Sequence, residues 1–243
     1  MKLLIAIPVK TSPHYAKRFE ICKETWLKNV PPDGATDAVF CEEFPVCYKG
    51  FFDAELGLTE INQHDNAHDP IRTWRTKLMV KYAYDNGYDY IFRVDSDAYV
   101  WINRLWTCGF QNHDYMGWCL QAPQGEWCVN TAHGGVGFFL SRKAMEIVMN
   151  APVEKYADGK YWGDLWAGQQ LYKRGIHCHR DKRFLDGSSH EGHHGNIGLS
   201  DLPLDHQYIS VHPIHPPAMA EFHRKFARMP AETVEPEKQL GEK

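Results

Sequence analysis

The chain has 243 residues, 43% of them hydrophobic, and a formal net charge of −4 at pH 7 with the histidines neutral. This length predicts one domain with a buried core, and the slightly acidic balance weakens a role in nucleic-acid binding, although a local basic strip is compatible with it. The seven cysteines form no CxxC pair and no regular spacing, so we expect reduced thiols rather than a disulfide framework.

The N-terminal residues MKLLIAIPVK contain an apolar run that is too short to span a membrane and has no signal-peptide cleavage site. We therefore expect a soluble, cytoplasmic protein with no membrane span and a first buried strand at residues 3–9. A helix is predicted at 16–29, ended by the Pro31–Pro32 pair, and a second strand at 36–43.

A four-turn helix is predicted from Asp69–Pro70 to Gly87, because Asp caps well, Pro suits the first helical position and Gly ends helices. The strand YIFRVDSDAYVW, residues 90–101, follows. Strands that alternate with helices predict an α/β fold with parallel strands. After residue 114 the regular alternation gives way to short strands mixed with helices. The later elements are strands at 114–121 and 135–140, helices at 141–150 and 163–174, a loop at 186–206 and a strand at 207–213.

Two helix ends in the later part carry recognisable signals. Ser141 is expected to cap the helix that follows it, and Gly175 to end the helix before it. Residues 230–243 are rich in Pro, Glu and Lys, so a disordered tail is predicted after a single domain of residues 1–229.

Within the stretch 90–101, the hydrophobic run that begins at Tyr90 ends in two carboxylates, Asp95 and Asp97. Alternation along a strand puts residues i and i+2 on one face, so we expect these like charges to project together and to need a positive partner. Ligands of α/β sheets bind at the carboxyl ends of strands, and hard oxygen ligands suit Mn²⁺ or Mg²⁺. A metal that bridges a substrate diphosphate is one interpretation, and a plain turn after a strand is the other.

Three further features point to the same chemistry, and each also has a purely structural interpretation. Gly134 and Gly135 open a buried strand, where glycines allow a ligand to approach the backbone. Asp164 lies in the first turn of a helix on its inward face, as a cap or as a general base. His212 and His215 end the last strand, and imidazole is an acceptable ligand for Mn²⁺.

Two tryptophans near Asp164 are candidates for stacking on an acceptor sugar. Trp162 immediately precedes the helix, and Trp166 falls on the face opposite Asp164, which we interpret as polar. A Trp covered by neighbouring segments is the commoner arrangement.

Together these motifs resemble the GT-A glycosyltransferases, and most closely the β-1,3-galactosyltransferase/Fringe family, over residues 3–215. Four family motifs occur in the family's order: R-x-x-I-x-x-x-T-W at Arg18, Ile21, Thr25 and Trp26; D-D-D at Asp95-Ser96-Asp97; a glycine-rich strand running into L-S-R from Gly134 to Arg142; and E-D-V-x-x-G at Gly163-Asp164-Leu165 with Gly168, followed by Arg174-Gly175-Ile176.

The resemblance implies a Rossmann-type mixed sheet flanked by helices and an inverting transfer of sugar from a nucleoside-diphosphate donor, UDP-sugar being the expected one. Asp97, with Asp95 and His212, would hold Mn²⁺ or Mg²⁺, and Asp164 would be the general base. The expected donor contacts are Pro8, Lys10, Thr11, Arg18, Lys77, Arg93, Asp95, Ser96, Gly134 and Gly135.

The sequence departs from the family at two motif positions, where Ser96 replaces the middle acid and Gly163 replaces the Glu before the base. The animal enzymes also have a membrane anchor and paired cysteines, which we do not expect here. These departures indicate a bacterial or viral cytosolic relative, so neither donor nor acceptor is inherited from the animal family.

The acceptor is expected to be a glycan or glycoconjugate, with a hydroxymethylated base of phage DNA as the second choice. The basic strips HRDKRF (179–184) and HRKFARM (223–229) could follow a phosphate backbone or simply lie in solvent. The His-rich loop 188–196 fits no established zinc pattern and is read as a lid or a surface loop. The rival functions are a metal-dependent phosphohydrolase and a non-catalytic glycan- or nucleotide-sugar-binding module.

Overall fold

A computed structural model describes residues 1–8, 13–40, 71–119, 131–154, 162–187, 207–214 and 216–226. The strands are β1 (Leu3–Ile7), β2 (Thr36–Phe40), β3 (Tyr90–Arg93), β4 (Tyr99–Val100), β5 (Tyr115–Gly117), β6 (Phe138–Ser141), β7 (His179–Arg180), β8 (Phe184–Asp186) and β9 (Ser210–His212). The helices are α1 (Pro13–Glu24), α2 (Ile71–Asp85), α3 (Ile102–Thr107), α4 (Arg142–Asn150), α5 (Gly163–Tyr172) and α6 (Pro216–Phe226), with short 3-10 turns at Trp26–Asn29 and Phe110–Asn112.

The main sheet has six strands in the order β2-β1-β3-β6-β5-β7. The pairs β1–β2, β1–β3 and β5–β7 are parallel, whereas β6 runs antiparallel to both β3 and β5. The predicted mixed α/β sheet is therefore confirmed. Parallel pairing holds for the strands at the start of the chain, and the change predicted after residue 114 corresponds to the antiparallel strands.

The interior strand β1 shows that the sheet is buried on both faces. All five of its side chains are inaccessible to solvent. Leu3, Ile5 and Ile7 pack into one hydrophobic core, and Leu4 and Ala6 pack into a second core on the other face. Alternate side chains of a strand point to opposite faces, so a continuous apolar run is what a strand between two layers requires.

A smaller sheet has the order β4-β9-β8 and carries the C-terminal strand to the end of β3. β9 runs antiparallel to β4, with Tyr99 opposite Val211, and parallel to β8, with Asp186 opposite His212. The Ile214 amide also donates to the Asp97 carbonyl at 2.7 Å. These pairings hold a late segment of the chain against the turn that contains the two acids.

Most predicted elements exist, with shorter bounds. The helix predicted at 16–29 is α1 followed by a 3-10 turn, and Ser141 caps α4 by accepting from the Ala144 amide. Gly175 follows α5 with a left-handed φ of 76°. The strand predicted to carry Asp95 and Asp97 at its end is shorter, because β3 ends at Arg93 and the acids lie in the turn between β3 and β4. The tail at 230–243 lies outside the described residues.

The expectation of reduced thiols is wrong for one pair, because Cys119 and Cys178 form a disulfide. They are 59 positions apart in sequence, but β5 and β7 are neighbours in the sheet, and the two Cα atoms lie 6.2 Å apart. Cys22 and Cys108 are free and buried. Cys41, Cys47 and Cys128 lie outside the described residues.

Candidate active site

A cavity of about 450 Å³ lies where β1 and β3 end. Its walls include Pro8, directly after β1, and the segment from Asp95 to Asp97, directly after β3. Both strands are parallel, so their carboxyl ends meet at one edge of the sheet, which is where ligands of open α/β sheets bind. The cavity is thus at the position that the sequence predicts.

The acids occupy a turn rather than a strand. The Ala98 amide donates to the Asp95 carbonyl at 3.2 Å and closes the turn, while the Asp95 amide donates to the Gly135 carbonyl at 3.2 Å. Ser96 is buried between the two acids. Asp95 and Asp97 do converge as predicted, but the cause is this turn and not the alternation of a strand.

Each acid has a cationic partner on the protein. Asp97 accepts from the Arg18 guanidinium at 2.8 Å, and an Arg93 guanidinium nitrogen lies 2.9 Å from Asp95. The side chains of Asp97, Arg18 and Arg93 are only 17%, 16% and 14% exposed, whereas Asp95 is 34% exposed. These ion pairs are partly buried, and each places a positive charge beside a carboxylate. They therefore offset the repulsion between Asp95 and Asp97.

His212 connects Asp97 to a third acid, Asp186. Its Nε2 lies 3.4 Å from an Asp97 oxygen, and its Nδ1 lies 3.4 Å from an Asp186 oxygen. Burial lowers the pKa of His212, but the hydrogen bonds to Asp186 and Asp97 outweigh it and raise the pKa to about 9. Burial also disfavours the charged form of Asp97 and by itself would raise the pKa of that carboxyl. The hydrogen bond and charge of His212 and the charge of Arg18 outweigh burial, so the pKa of Asp97 is below its ordinary value.

The site fits a divalent cation by its donor set. One ligand atom from each of Asp95, Asp97 and His212 lies within 4.8 Å of the other two, and all three residues line the cavity. Two carboxylates and an imidazole are donors that Mn²⁺ accepts readily and Mg²⁺ accepts less readily. Three protein donors leave positions open for oxygen atoms of a substrate.

The glycine pair forms a turn before β6 and approaches two functional side chains. The Gly134 amide donates to Asp164 Oδ2 at 2.8 Å. A Cβ at Gly134 would lie 2.9 Å from that oxygen, and a Cβ at Gly135 would lie 2.6 Å from both ring nitrogens of His212. A side chain at either position would force these neighbours to shift, because Cβ atoms essentially never approach other atoms so closely.

Asp164 lies in the first turn of α5 and lines the cavity. Its Oδ1 accepts from the amide of the next residue, Leu165, at 3.0 Å, and its Oδ2 accepts from the Gly134 amide. It is not the cap of the helix, because the N-cap position is Trp162, which makes no side-chain capping bond. Asp164 lines the cavity, and its role as a general base stays a prediction. Each carboxylate oxygen retains a second lone pair for a substrate hydroxyl.

The two tryptophans of this region have different positions. Trp162 lines the cavity, with the Arg72 guanidinium 5.0 Å from its ring centre. The assignment of Trp166 to a polar face is wrong: its side chain is 1% exposed, packs in the core and donates from Nε1 to the Pro152 carbonyl at 2.9 Å. α5 is covered on that face by the segment after α4, so Trp166 has no access to an acceptor.

Lys77 is also misassigned as a donor contact. Its ammonium donates to the Ala151 carbonyl at 2.8 Å and lies 5.1 Å from the Trp74 ring centre, and the residue does not line the cavity. Helix α2 turns this side chain toward the end of α4. Lys10, Thr11, His215 and the loop 188–196 lie outside the described residues.

Four cavity or site residues were not predicted from sequence: Arg72, Arg75, His133 and Asp186. The arginines lie on α2, whose sequence distance from the motifs gives no hint of the cavity. His133 directly precedes the glycine pair, and its position in that motif was the available signal. Asp186 is found only through its register opposite His212.

The order of the six strands, with helices on both faces and a site at the strand ends, defines a mixed α/β fold of the GT-A type. No protein-family model and no curated protein sequence matches the chain. A solved glycosyltransferase involved in the glycosylation of the major capsid of PBCV-1 is similar, with a TM-score of 0.50 and 14% identity, covering 93% of this chain and 100% of that chain.

A second solved structure is a mannosyltransferase from Pyrobaculum calidifontis in complex with GDP-Man and Mn²⁺. Its TM-score is 0.41 at 13% identity, covering 74% of this chain and 54% of that chain. At such identities the likeness to the PBCV-1 enzyme establishes the fold alone. The resemblance to the Fringe family in particular gains no support from either structure.

Among the residues that the structure describes, no helix is both long enough and apolar enough to cross a bilayer. The expected cytoplasmic location stays a prediction. The expectation of reduced thiols no longer argues for that location, because the chain has a disulfide and disulfides are rare in reducing compartments.

Proposed function

We propose that this protein is a metal-dependent, inverting glycosyltransferase that moves a sugar from a nucleoside diphosphate, UDP in the first instance, to an acceptor hydroxyl. The observation that carries the proposal is the convergence of Asp95, Asp97 and His212 at one wall of a cavity that Asp164 also lines. A metal site and a candidate base within one cavity are the two components that such a transfer needs.

The donor would lie along the wall formed by β1 and β3. Asp95, Asp97 and His212 would hold Mn²⁺ or Mg²⁺, which when bound supplies a Lewis acid for the departing diphosphate. Four arginines line the same cavity: Arg18, Arg72, Arg75 and Arg93. Guanidinium groups match phosphate oxygens in geometry and charge, which makes this cavity suitable for a diphosphate.

In the transfer, the acceptor oxygen attacks the anomeric carbon and the bond from that carbon to the diphosphate breaks. Asp164 accepts the hydroxyl proton through a lone pair that neither Gly134 nor Leu165 uses. These two amides fix the carboxylate, so it is held ready for a hydroxyl that enters from the cavity. Trp162, beside Asp164 in the cavity, would stack on the acceptor sugar.

A glycan or glycoconjugate acceptor is favoured over modified DNA. In the strip 179–184, Arg183 pairs with Asp181 at 2.6 Å and Arg180 lies 4.5 Å from the Trp118 ring centre. In the strip 223–229, His223 is 3.0 Å from the Tyr99 hydroxyl. These side chains contact other residues of the protein, which weakens the idea that the two strips follow a phosphate backbone.

Binding of UDP is the first test. We expect UDP to raise the melting temperature of the native protein only when Mn²⁺ is present, and Asp97→Ala to abolish the effect, because the cation bridges protein and diphosphate. The matched control is Lys77→Met, whose side chain lies outside the cavity, and it should bind UDP as the native protein does. UDP binding of equal strength in EDTA would contradict the proposal.

Turnover is the second test. Asp164→Asn keeps the shape of the side chain but removes its basicity, so it should retain Mn²⁺-dependent UDP binding and lose at least about 100-fold in transfer rate. A screen of nucleotide sugars by thermal shift supplies the donor for this assay. Unchanged transfer in Asp164→Asn rules out its role as base, and phosphate release with no acceptor present would favour the phosphohydrolase.

A further inference from the structure

Asp186 is a buried carboxylate that the proposed reaction does not use. Its side chain is 1% exposed. One oxygen lies 3.4 Å from His212 Nδ1, and the other lies 3.6 Å from His133 Nδ1. A carboxylate with so little solvent needs polar or charged neighbours, and the His212 imidazole is one that reaches it at hydrogen-bond distance.

The contact between Asp186 and His212 is fixed by the sheet. The two residues are direct partners in the parallel pair β8–β9, which also sets Phe184 opposite Ser210 and Leu185 opposite Val211. Backbone pairing of three successive residues holds the two side chains in one geometry. A loop contact would not give the same precision.

His212 therefore lies between two carboxylates that face opposite sides of its ring. Asp97 is 3.4 Å from Nε2, and Asp186 is 3.4 Å from Nδ1. In metal sites a histidine ligand commonly donates its other N–H to a carboxylate, which fixes both the tautomer and the ring orientation. Asp186 is in the position of that second carboxylate.

The same atoms could also be read as a second metal site, since His133, Asp186 and His212 have ligand atoms within 4.8 Å of one another. Burial decides between the two groups. Asp95 and Asp97 are 34% and 17% exposed and line the cavity, whereas Asp186 is 1% exposed and does not. Mn²⁺ and Mg²⁺ keep water or substrate oxygens in their coordination, which the cavity side allows.

We infer that Asp186 is a positioning residue, which holds His212 with Nε2 directed toward the cation held by Asp95 and Asp97. The inference rests on the proposed function, because it requires a metal at that site. It assigns the cavity side of His212 to the metal and the buried side to Asp186, so the protein binds one cation at these residues.

The test measures Mn²⁺ affinity in the full chain by electron paramagnetic resonance. Asp186→Asn should weaken Mn²⁺ binding about 10- to 100-fold, because an amide nitrogen can donate toward Nδ1 and favour the wrong tautomer. Pulsed measurements on the bound Mn²⁺ should show a coordinated imidazole nitrogen in the native protein. That signal should be lost in His212→Ala and reduced in Asp186→Asn.

The matched control is Asp181→Asn, which alters another buried carboxylate near β8 that pairs with Arg183 and does not contact His212. It should leave the Mn²⁺ affinity unchanged even if it lowers the melting temperature, so a merely structural role of Asp186 is distinguished. Equal Mn²⁺ affinity in folded Asp186→Asn and native protein overturns the inference alone.

Two measurements on the native protein keep the inference testable if Asp186→Asn does not fold. Titration should give one Mn²⁺ per chain at these residues, and two bound ions that both depend on His212 would overturn the positioning role. Absence of any Mn²⁺ binding would overturn the proposed function together with the inference.

Discussion

At the scale of single residues, the site is an arrangement of charges that are already paired before any substrate binds. Asp97 contacts Arg18 and His212, and Asp95 contacts Arg93. A cation that enters must compete with these partners, while the arginines that it releases remain at the cavity. Under the proposed function, the same guanidinium groups would then face the diphosphate of the donor.

The two neighbouring glycines give a prediction in which each variant controls for the other. Neither has a left-handed φ, so alanine is acceptable to the backbone and only the space decides. Gly135→Ala places a methyl group against the His212 ring and should weaken Mn²⁺ binding at least about 10-fold. Gly134→Ala approaches Asp164 and Arg93 instead and should lower transfer while Mn²⁺ still binds.

Mn²⁺ titration and transfer assays on both variants measure this separation. Overpacking should also cost each variant about 1–3 kcal/mol of unfolding free energy, which urea denaturation reports. The geometry of the turn is contradicted if both variants change the same property to the same extent.

At the scale of elements, the beginning of α4 shows a cap that is itself held by a carboxylate. Ser141 accepts from the Ala144 amide at 3.3 Å and donates to Asp114 at 2.6 Å, and Lys143 donates to the other Asp114 oxygen at 2.7 Å. β6 thus ends at Ser141, α4 begins at the next residue, and Asp114 joins both to the start of β5.

The pH dependence of stability should report Asp114. Burial raises the pKa of Asp114, but the hydrogen bonds from Lys143 and Ser141 outweigh it and lower the pKa below the ordinary value of 3.8. When the pKa of a carboxyl is lower in the folded state than in the unfolded state, the group stabilises the folded protein at pH values above the unfolded-state pKa. This stabilisation is lost as the pH falls through the folded-state pKa. Asp114→Asn should therefore be less stable than the native protein at pH 6, and the difference should shrink below pH 3.8.

Urea unfolding of both proteins at several pH values measures this difference. The matched comparison is Ser141→Ala, which should lose about 1 kcal/mol as an N-cap substitution and show a weaker dependence on acid pH. A difference between Asp114→Asn and native protein that stays constant down to the lowest pH would contradict the assignment.

At the scale of the whole molecule, the disulfide joins the segments next to two neighbouring parallel strands, β5 and β7. Cys119 follows β5 and Cys178 precedes β7, with 59 residues of sequence separation between them. By chain entropy, closing a loop of this length stabilises the folded state by about 4 kcal/mol.

Reductant should therefore lower the urea midpoint of the native protein. Cys119→Ser/Cys178→Ser should already be destabilised and insensitive to reductant, and equal midpoints with and without reductant in the native protein would exclude the bond.

The sequence by itself determined the local features of this protein. The apolar run at residues 3–9 predicts the buried strand β1, the Ser141 and Gly175 signals predict helix ends, and Asp95 and Asp97 predict two acids that converge after a strand. These conclusions depend on backbone propensities and on residues within a few positions of each other. The alternation of strands and helices extends the same logic to the fold class, which the structure confirms.

Only the tertiary structure decided which distant residues meet. Asp186 lies opposite His212 because β8 pairs with β9, Arg72 and Arg75 enter the cavity because α2 packs beside it, and Cys119 meets Cys178 because β5 neighbours β7. Trp166 is in the core because the segment after α4 covers it, although the helix pattern placed it outside. Such contacts depend on strand order and packing, which no local pattern of residues encodes.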